Sequence, residues 1–218
     1  MIDLKGIKKS FGNLEVLRGI DLHVGKGEIV SIVGPSGAGK TTLLQIMGTL
    51  DRADSGSVIL DGVDVNSLSG RELSRFRNRK IGFVFQSHQL LNEFTALENV
   101  MIPAHIAKTD SSEAKRRAEE LLDFVGLSQR SHHKPLEMSG GEQQRTAIAR
   151  SLISNPTLIL ADEPTANLDH RTGATVVRML RELCSTLGVT VVASTHDPTV
   201  AQEASRVVAM RDGRIVDE

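Results

Sequence analysis

The segment Gly34-Pro-Ser-Gly-Ala-Gly-Lys-Thr-Thr42 follows the β-branched run Glu28-Ile-Val-Ser-Ile-Val33 and leads into the helical pattern Thr42-Leu-Leu-Gln-Ile-Met47. A strand feeding a glycine-rich turn and then a helix is a tight local constraint. The pattern turns helical after Lys40, and a helix N-terminus with exposed main-chain N–H groups is a natural anion site. The spacing Gly34-x-x-x-x-Gly39-Lys40-Thr41 is the phosphate-cradling pattern, in the strand–turn–helix context it requires. The N–H groups of Ser36, Gly37, Ala38, Gly39, Lys40 and Thr41 would wrap a polyphosphate, and Pro35 and Thr42 complete the loop. Lys40 would reach the β- and γ-phosphates, and the Thr41 hydroxyl would bind Mg²⁺. A glycine-rich turn with no ligand would leave Lys40 without a purpose.

A bound nucleotide still needs a metal partner and a group to activate water. Asp162 and Glu163 end the apolar run Thr157-Leu-Ile-Leu-Ala161. Functional side chains of doubly wound sheets gather at the C-terminal ends of strands. Asp162 suits a carboxylate holding the metal through water, and Glu163 suits a general base on the attacking water. His196 follows the strand-like Val189–Ser194, and Gln86 follows Ile81-Gly-Phe-Val-Phe85. Both fall on the same predicted sheet edge. His196 would contact the γ-phosphate, and Gln86 would ligate Mg²⁺ or orient water. With no Tyr or Trp in the chain, Phe11 is the candidate for stacking on adenine.

A second helix start is unusual. In Met138-Ser-Gly-Gly-Glu-Gln-Gln-Arg145, Ser139 and Glu142 have capping-box spacing. Gly140 and Gly141 between them would let a ligand approach the bare backbone. The pair His132-His133 has no nearby Cys or paired carboxylate and reads as a loop.

The remaining chain supplies a frame for these sites. Strands alternate with helices, which implies a mainly parallel sheet. Residues 1–33 read as strands, Gly56–Gly62 as a strand and turn, and Arg206–Val216 as a hairpin on Asp212-Gly213. Thr95 and Glu98 repeat the capping-box spacing. Ser112–Val125 is a charged helix with Ala118, Leu121, Leu122 and Val125 on one face. The expected organisation is a single domain over 1–218, with a helical subdomain at approximately 87–155. The net charge of -1 gives no electrostatic footprint for nucleic acid. No apolar run is long enough to span a bilayer, and the N-terminus lacks a signal-peptide apolar region, so a cytoplasmic chain is expected. The lone Cys184 rules out an internal disulfide and sits in apolar helical spacing with Val176, Val177, Leu180, Leu183 and Leu187.

Together these residues resemble the ATP-binding subunits of ABC transporters, over essentially the whole chain. Gly34–Thr42 is similar to the Walker A motif, and Leu158–Glu163 to Walker B with the catalytic glutamate. Gln86 falls at the Q-loop, His196 at the switch histidine, Ala166–Asp169 at the D-loop and Ser139–Gln143 at the signature. Met138 stands where the signature usually has leucine, and Phe11 where the adenine-stacking residue is usually tyrosine. The resemblance implies an α/β P-loop NTPase fold: a mainly parallel core sheet, an antiparallel N-terminal β subdomain and a helical subdomain. It implies an ATPase with Glu163, His196 and Lys40 in catalysis, Thr41, Gln86 and Asp162 toward the metal, and Asp169 toward the nucleotide. It also implies a head-to-tail homodimer, in which Walker A of one copy and Ser139, Gly140, Gly141 and Glu142 of the other hold each ATP.

Such a subunit drives an integral membrane permease, here expected to dock on approximately 87–103, where Leu90, Leu91, Phe94 and Leu97 offer apolar anchors. The run His88-x-Leu-Leu91 and Phe94-Thr-Ala-Leu-Glu-Asn-Val100 is most similar to lipoprotein-releasing members of the family. Macrolide exporters and cell-division ATPases are near relatives. The implied location is the cytoplasmic face of the inner membrane.

Overall fold

The structure, a computed structural model, describes residues 1–196 and 201–216. Two sheets carry the chain. The N-terminal sheet is antiparallel, with strands β1 (Ile2–Phe11), β2 (Leu14–Val24), β4 (Ser55–Leu60) and β5 (Val63–Asp64) in the order β2-β1-β4-β5. The core sheet contains β3 (Ile29–Val33), β6 (Ile81–Val84), β7 (Leu158–Asp162), β8 (Thr190–Thr195), β9 (Arg206–Arg211) and β10 (Arg214–Val216). Its order is β10-β9-β3-β8-β7-β6, parallel throughout except for the β9–β10 hairpin. That hairpin turns through Asp212 and Gly213, as expected.

Both faces of the core sheet are covered, and the strands alternate between two apolar clusters. Leu158 and Leu160 of β7 join the cluster shared with α1 (Lys40–Met47) and the N-terminal sheet. Ile159 and Ala161 of the same strand face the helices α3 (Ala96–Ile106), α4 (Ser111–Phe124), α5 (Gly140–Leu152) and α6 (His170–Leu187). Val192 against Val191 and Ala193 repeats the division on β8. A strand buried on both sides therefore reads as a continuous apolar run.

The helix starts follow their caps. Thr95 and Glu98 form a full capping box at α3, and Asp110 caps α4, whose buried residues are Ala114, Ala118, Leu121 and Leu122. The helix α2 (Gly70–Lys80) is not anticipated by the sequence reading. Its apolar residues packed against the core are only Leu73 and Phe76, and none of its residues is fully buried. Cys184 is half-buried on α6, its thiol donates to the Gly27 carbonyl at 2.9 Å, and burial pushes its pKa up.

Candidate functional site

Strand order decides the site. β3, β8, β7 and β6 are neighbours, and their registers pair Val33 with Thr195, Asp162 with Ser194 and Val84 with Ala161. Four strands so aligned end at one level. The loops that follow them carry the glycine-rich turn, His196, Glu163 and Gln86 along one sheet edge. These residues line one open cleft of about 740 Å³, with Gly34–Thr42 as its floor and Leu14 and Val16 on its rim.

The turn needs its glycines for steric reasons. Gly39 caps α1 at φ 98°, and a Cβ there would lie 2.8 Å from Leu17 Cδ2 and 3.1 Å from the Val16 carbonyl. Lys40 is buried to 8% exposure, and its ammonium donates to the carbonyls of Gly34 (2.7 Å) and Pro35 (3.1 Å). The charge thus lies across the mouth of the cradle, 3.9 Å from Glu163 Oε1.

Glu163 occupies a left-handed conformation, φ 46°, immediately after β7. A non-glycine residue held there stores strain, and its N–H is secured by the carbonyl and the hydroxyl of Ser194 at 3.1 and 3.2 Å. The turn points the carboxylate back into the cleft, where Oε2 lies 2.8 Å from His196 Nδ1 and accepts from the His196 N–H at 3.3 Å. Asp162 Oδ1 accepts from Ser194 Oγ at 2.5 Å and from Thr41 Oγ1 at 3.1 Å. A hydroxyl and a carboxylate in contact, with the Gln86 amide lining the same cleft, form a hard-oxygen set. Such a set fits Mg²⁺, which takes few protein ligands and completes its shell with water and phosphate oxygens. Among the described residues no cluster of three or more His, Cys, Asp or Glu offers an all-protein metal cage.

Sequence reasoning did not single out Ser194, Gln144, Asn99 or Arg150. Ser194 orients both Asp162 and Glu163. The Gln144 amide, 1% exposed, donates to the Pro164 carbonyl at 2.8 Å and holds the turn after Glu163. A polar residue buried inside an apolar helix pattern was the one available signal for Gln144.

The second helix start lies elsewhere. Ser139 and Glu142 make the expected capping box: the Glu142 carboxylate accepts from Ser139 N–H (2.8 Å) and Oγ (2.9 Å). These bonds to Ser139, first among several causes, hold the Glu142 pKa below the usual carboxylate value. Arg130 Nε adds a bond at 3.0 Å. Ser139, Gly140, Gly141 and Glu142 do not line the cleft around Lys40. Gly140 is exposed, near Leu168 and Asn167. Gly141 is buried, and an added Cβ would lie 2.4 Å from Thr172 Cγ2 of α6. Its missing side chain lets α5 and α6 pack closely at this point.

Asp169 caps α6, accepting from the Thr172 hydroxyl (2.6 Å) and from the N–H groups of Thr172 and Arg171, which together lower its pKa. Phe11 ends β1 at 52% exposure with the Lys9 ammonium 5.2 Å from its ring, and it is not among the residues lining the cleft. Of the apolar anchors, Leu91 and Phe94 are exposed at 46% and 41%, and Leu90 is half-buried. Leu97 belongs to the core at 7% exposure, because it falls on the inward face of α3. His132 is exposed, and His133 lies 3.1 Å from Arg130 Nη1.

Known proteins match this arrangement. The ABC transporter family model matches residues 17–166. The lipoprotein-releasing system ATP-binding protein LolD of Bacteroides thetaiotaomicron is 60% identical over 99% of both chains. LolD of Porphyromonas gingivalis is 53% identical over the full length of each. Among solved structures, the dimeric ATP-binding cassette MJ0796 in a post-hydrolysis state with ADP and Pi superposes with a TM-score of 0.92 at 42% identity, covering 100% of this chain and 97% of that one. Fold, strand-end site and near full-length identity agree, and the chain belongs to the ABC transporter family, among its ATP-binding cassettes.

Proposed function

We propose that the chain is the ATP-hydrolysing subunit of a lipoprotein-releasing ABC transporter, with Mg²⁺ held by Thr41, Asp162 and Gln86. The observation that carries the chemistry is the Glu163–His196 contact above Lys40. Bound nucleotide would draw the Lys40 ammonium off the Gly34 and Pro35 carbonyls onto phosphate oxygens, where a charge-assisted bond is stronger. The N–H groups of the loop would take the remaining oxygens, and the metal would supply charge neutralisation on the β- and γ-phosphates. Glu163 would accept the proton of the attacking water, and His196 would hold Glu163 by its main-chain N–H and its ring. Phe11 would extend over adenine from the rim.

Ser139 and Gly140 are exposed and apart from the cleft, which supports their use on the nucleotide of a second copy. A two-fold pair would then bury two ATP molecules, with Asp169 and Asn167 beside each signature. ATP binding would close the pair and hydrolysis would open it. MJ0796 is named as a dimer with ADP and Pi, which supports the same assembly here.

No described helix is long and apolar enough to cross a membrane, and the stroke would pass to the membrane subunits of the transporter. LolC/LolE-like permeases are the proposed partners, at the cytoplasmic face of the inner membrane, with Leu91 and Phe94 at the contact. The high identity to LolD proteins favours this role over MacB-like export or FtsE-like signalling. Purification of the subunit from detergent-solubilised membranes tests it. A permease pair and ATP-dependent release of lipoprotein from vesicles are expected. Co-purification with a cell-wall hydrolase regulator or a single exporter subunit would overturn it.

A further inference from the structure

The chain builds the same capping box twice and finishes it in two different ways. At α3, Glu98 Oε2 accepts from the Thr95 N–H and hydroxyl, both at 2.8 Å, and no ion pair reaches that carboxylate among the described residues. The next two N–H groups of that helix are occupied as well. Ala96 donates to the His133 carbonyl (2.8 Å) and Leu97 to the Ser131 carbonyl (2.9 Å). At α5, Glu142 Oε2 accepts from the Ser139 N–H and hydroxyl, and Ser139 Oγ accepts from the Glu142 N–H at 3.3 Å. The corresponding N–H groups here, of Gly140 and Gly141, have no hydrogen-bond partner among the described residues. This box also carries a cation. Arg130 Nε lies 3.0 Å from Glu142 Oε1, the oxygen that Ser139 leaves free.

Arg130 is held in place from both sides. Its N–H donates to the Leu127 carbonyl (2.8 Å), its carbonyl accepts from the His133 N–H (2.9 Å), and Nη1 lies 3.1 Å from His133 Nε2. The box at α3 shows that the cap itself needs no such cation. The difference between the two helix starts is the open pair of donors. A phosphate drawn to them would meet the Glu142 carboxylate beside it, and like charges so close oppose each other.

We infer that Arg130 is a positioning residue for the nucleotide of a second copy: paired with Glu142, it neutralises the charge at the start of α5 and keeps the Gly140 and Gly141 N–H groups open to a phosphate. The inference rests on the proposed two-fold pair. A carboxylate released from Arg130 would be a repelling charge and also a competing acceptor for the same donors. Arg130 acts through Glu142 and does not itself touch the nucleotide.

The test titrates ATP, with Mg²⁺, into the full chain carrying Glu163→Gln, and reads dimer formation by light scattering. Arg130→Ala and Arg130→Gln, the second keeping a donor without the charge, are each added to that background. Both are expected to raise the ATP concentration for half-maximal dimerisation roughly 3- to 30-fold, because a two-fold pair loses the ion pair twice. The same changes made beside Glu142→Gln should shift it by less than about 2-fold, since the charge they balanced is gone. ADP binding by the monomer, which uses only Gly34–Thr42, should stay as in the parent. Parent-like dimerisation of the Arg130 variants would overturn the inference. So would a shift that persists beside Glu142→Gln, which would mean a direct contact with the nucleotide or a role in the fold alone. Loss of ADP binding in both Arg130 variants would likewise assign Arg130 to the fold and overturn it. Absence of any ATP-dependent dimer in the Glu163→Gln parent would instead overturn the two-fold pair.

Discussion

Glu163 Oε2 lies 2.8 Å from His196 Nδ1, and the two residues follow different strands of the core sheet. Neighbouring strands β7 and β8 pair Asp162 with Ser194; Glu163 follows one residue later and His196 two, and both line the same cleft. The contact holds one carboxylate oxygen on His196 and leaves the other, Oε1, 3.9 Å from the Lys40 ammonium.

Glu163→Gln keeps the shape and hydrogen-bonding reach of the side chain but cannot accept a proton. Turnover is expected to fall roughly 10²- to 10⁴-fold, the contribution of a general base. ATP binding should persist, and an ATP-bound dimer should accumulate. Phosphate release and light scattering with ATP and Mg²⁺ check both; unchanged turnover would remove Glu163 from its role.

Gly141→Ala places a methyl group against Thr172 Cγ2, at 2.4 Å. Overpacking of this kind costs about 1–3 kcal/mol. Thr172→Ser removes the opposing methyl while keeping the hydroxyl that donates to Asp169 at 2.6 Å. The double variant should recover most of the loss, seen as a coupling energy in urea denaturation. Additive losses would place the need for Gly141 somewhere other than this contact.

Asn99→Ala removes a buried amide that serves Leu91, Phe94 and Thr95. Leaving several main-chain groups without partners costs about 1–3 kcal/mol for each one that stays dry. The melting temperature is expected to drop, and membrane-subunit capture to weaken with it. Asn99→Asp should be equally poor, because a carboxylate has no N–H to donate to three carbonyls. Chemical denaturation and co-purification yield read the two effects separately.

The capping carboxylate of Glu142 gives an acid-side prediction. Hydrogen bonds from Ser139, ahead of the Arg130 charge, hold its pKa below the ordinary glutamate value. A folded pKa below the unfolded one means that the native state releases this proton more readily. Its contribution is therefore complete above pH 4.5 and is lost as pH falls through the lower folded value. For a partly solvated group this amounts to at most about 1 kcal/mol. Glu142→Gln retains the cap without the charge, so its urea midpoint should fall less than that of the wild type between neutral and acid pH. Parallel acid limbs would contradict the assignment.

Much of this protein was readable before folding. Gly34–Thr42 declared a phosphate cradle because the sequence around it changes from a strand pattern to a helix pattern at the loop. Asp162, Glu163, His196 and Gln86 could be nominated because each follows an apolar run. The capping boxes at Thr95 and Ser139 were legible for the same local reason, since all their atoms lie within a few residues. Helix α2 escaped because its weak apolar pattern is half-exposed and mostly charged.

The sequence by itself determined the local chemistry: loop geometry, caps, and which residues can bind phosphate, hold a metal or accept a proton. The tertiary structure decided which distant residues meet. Strand order put β6 beside β7 and β7 beside β8, and so brought Gln86, Glu163 and His196 to one cleft. Helix packing assigned Gly141 to Thr172 and Leu97 to the core, and it carried Arg150 to the carbonyls of His88 and Gln89. These contacts depend on close approach between segments far apart in the chain, which no local spacing encodes.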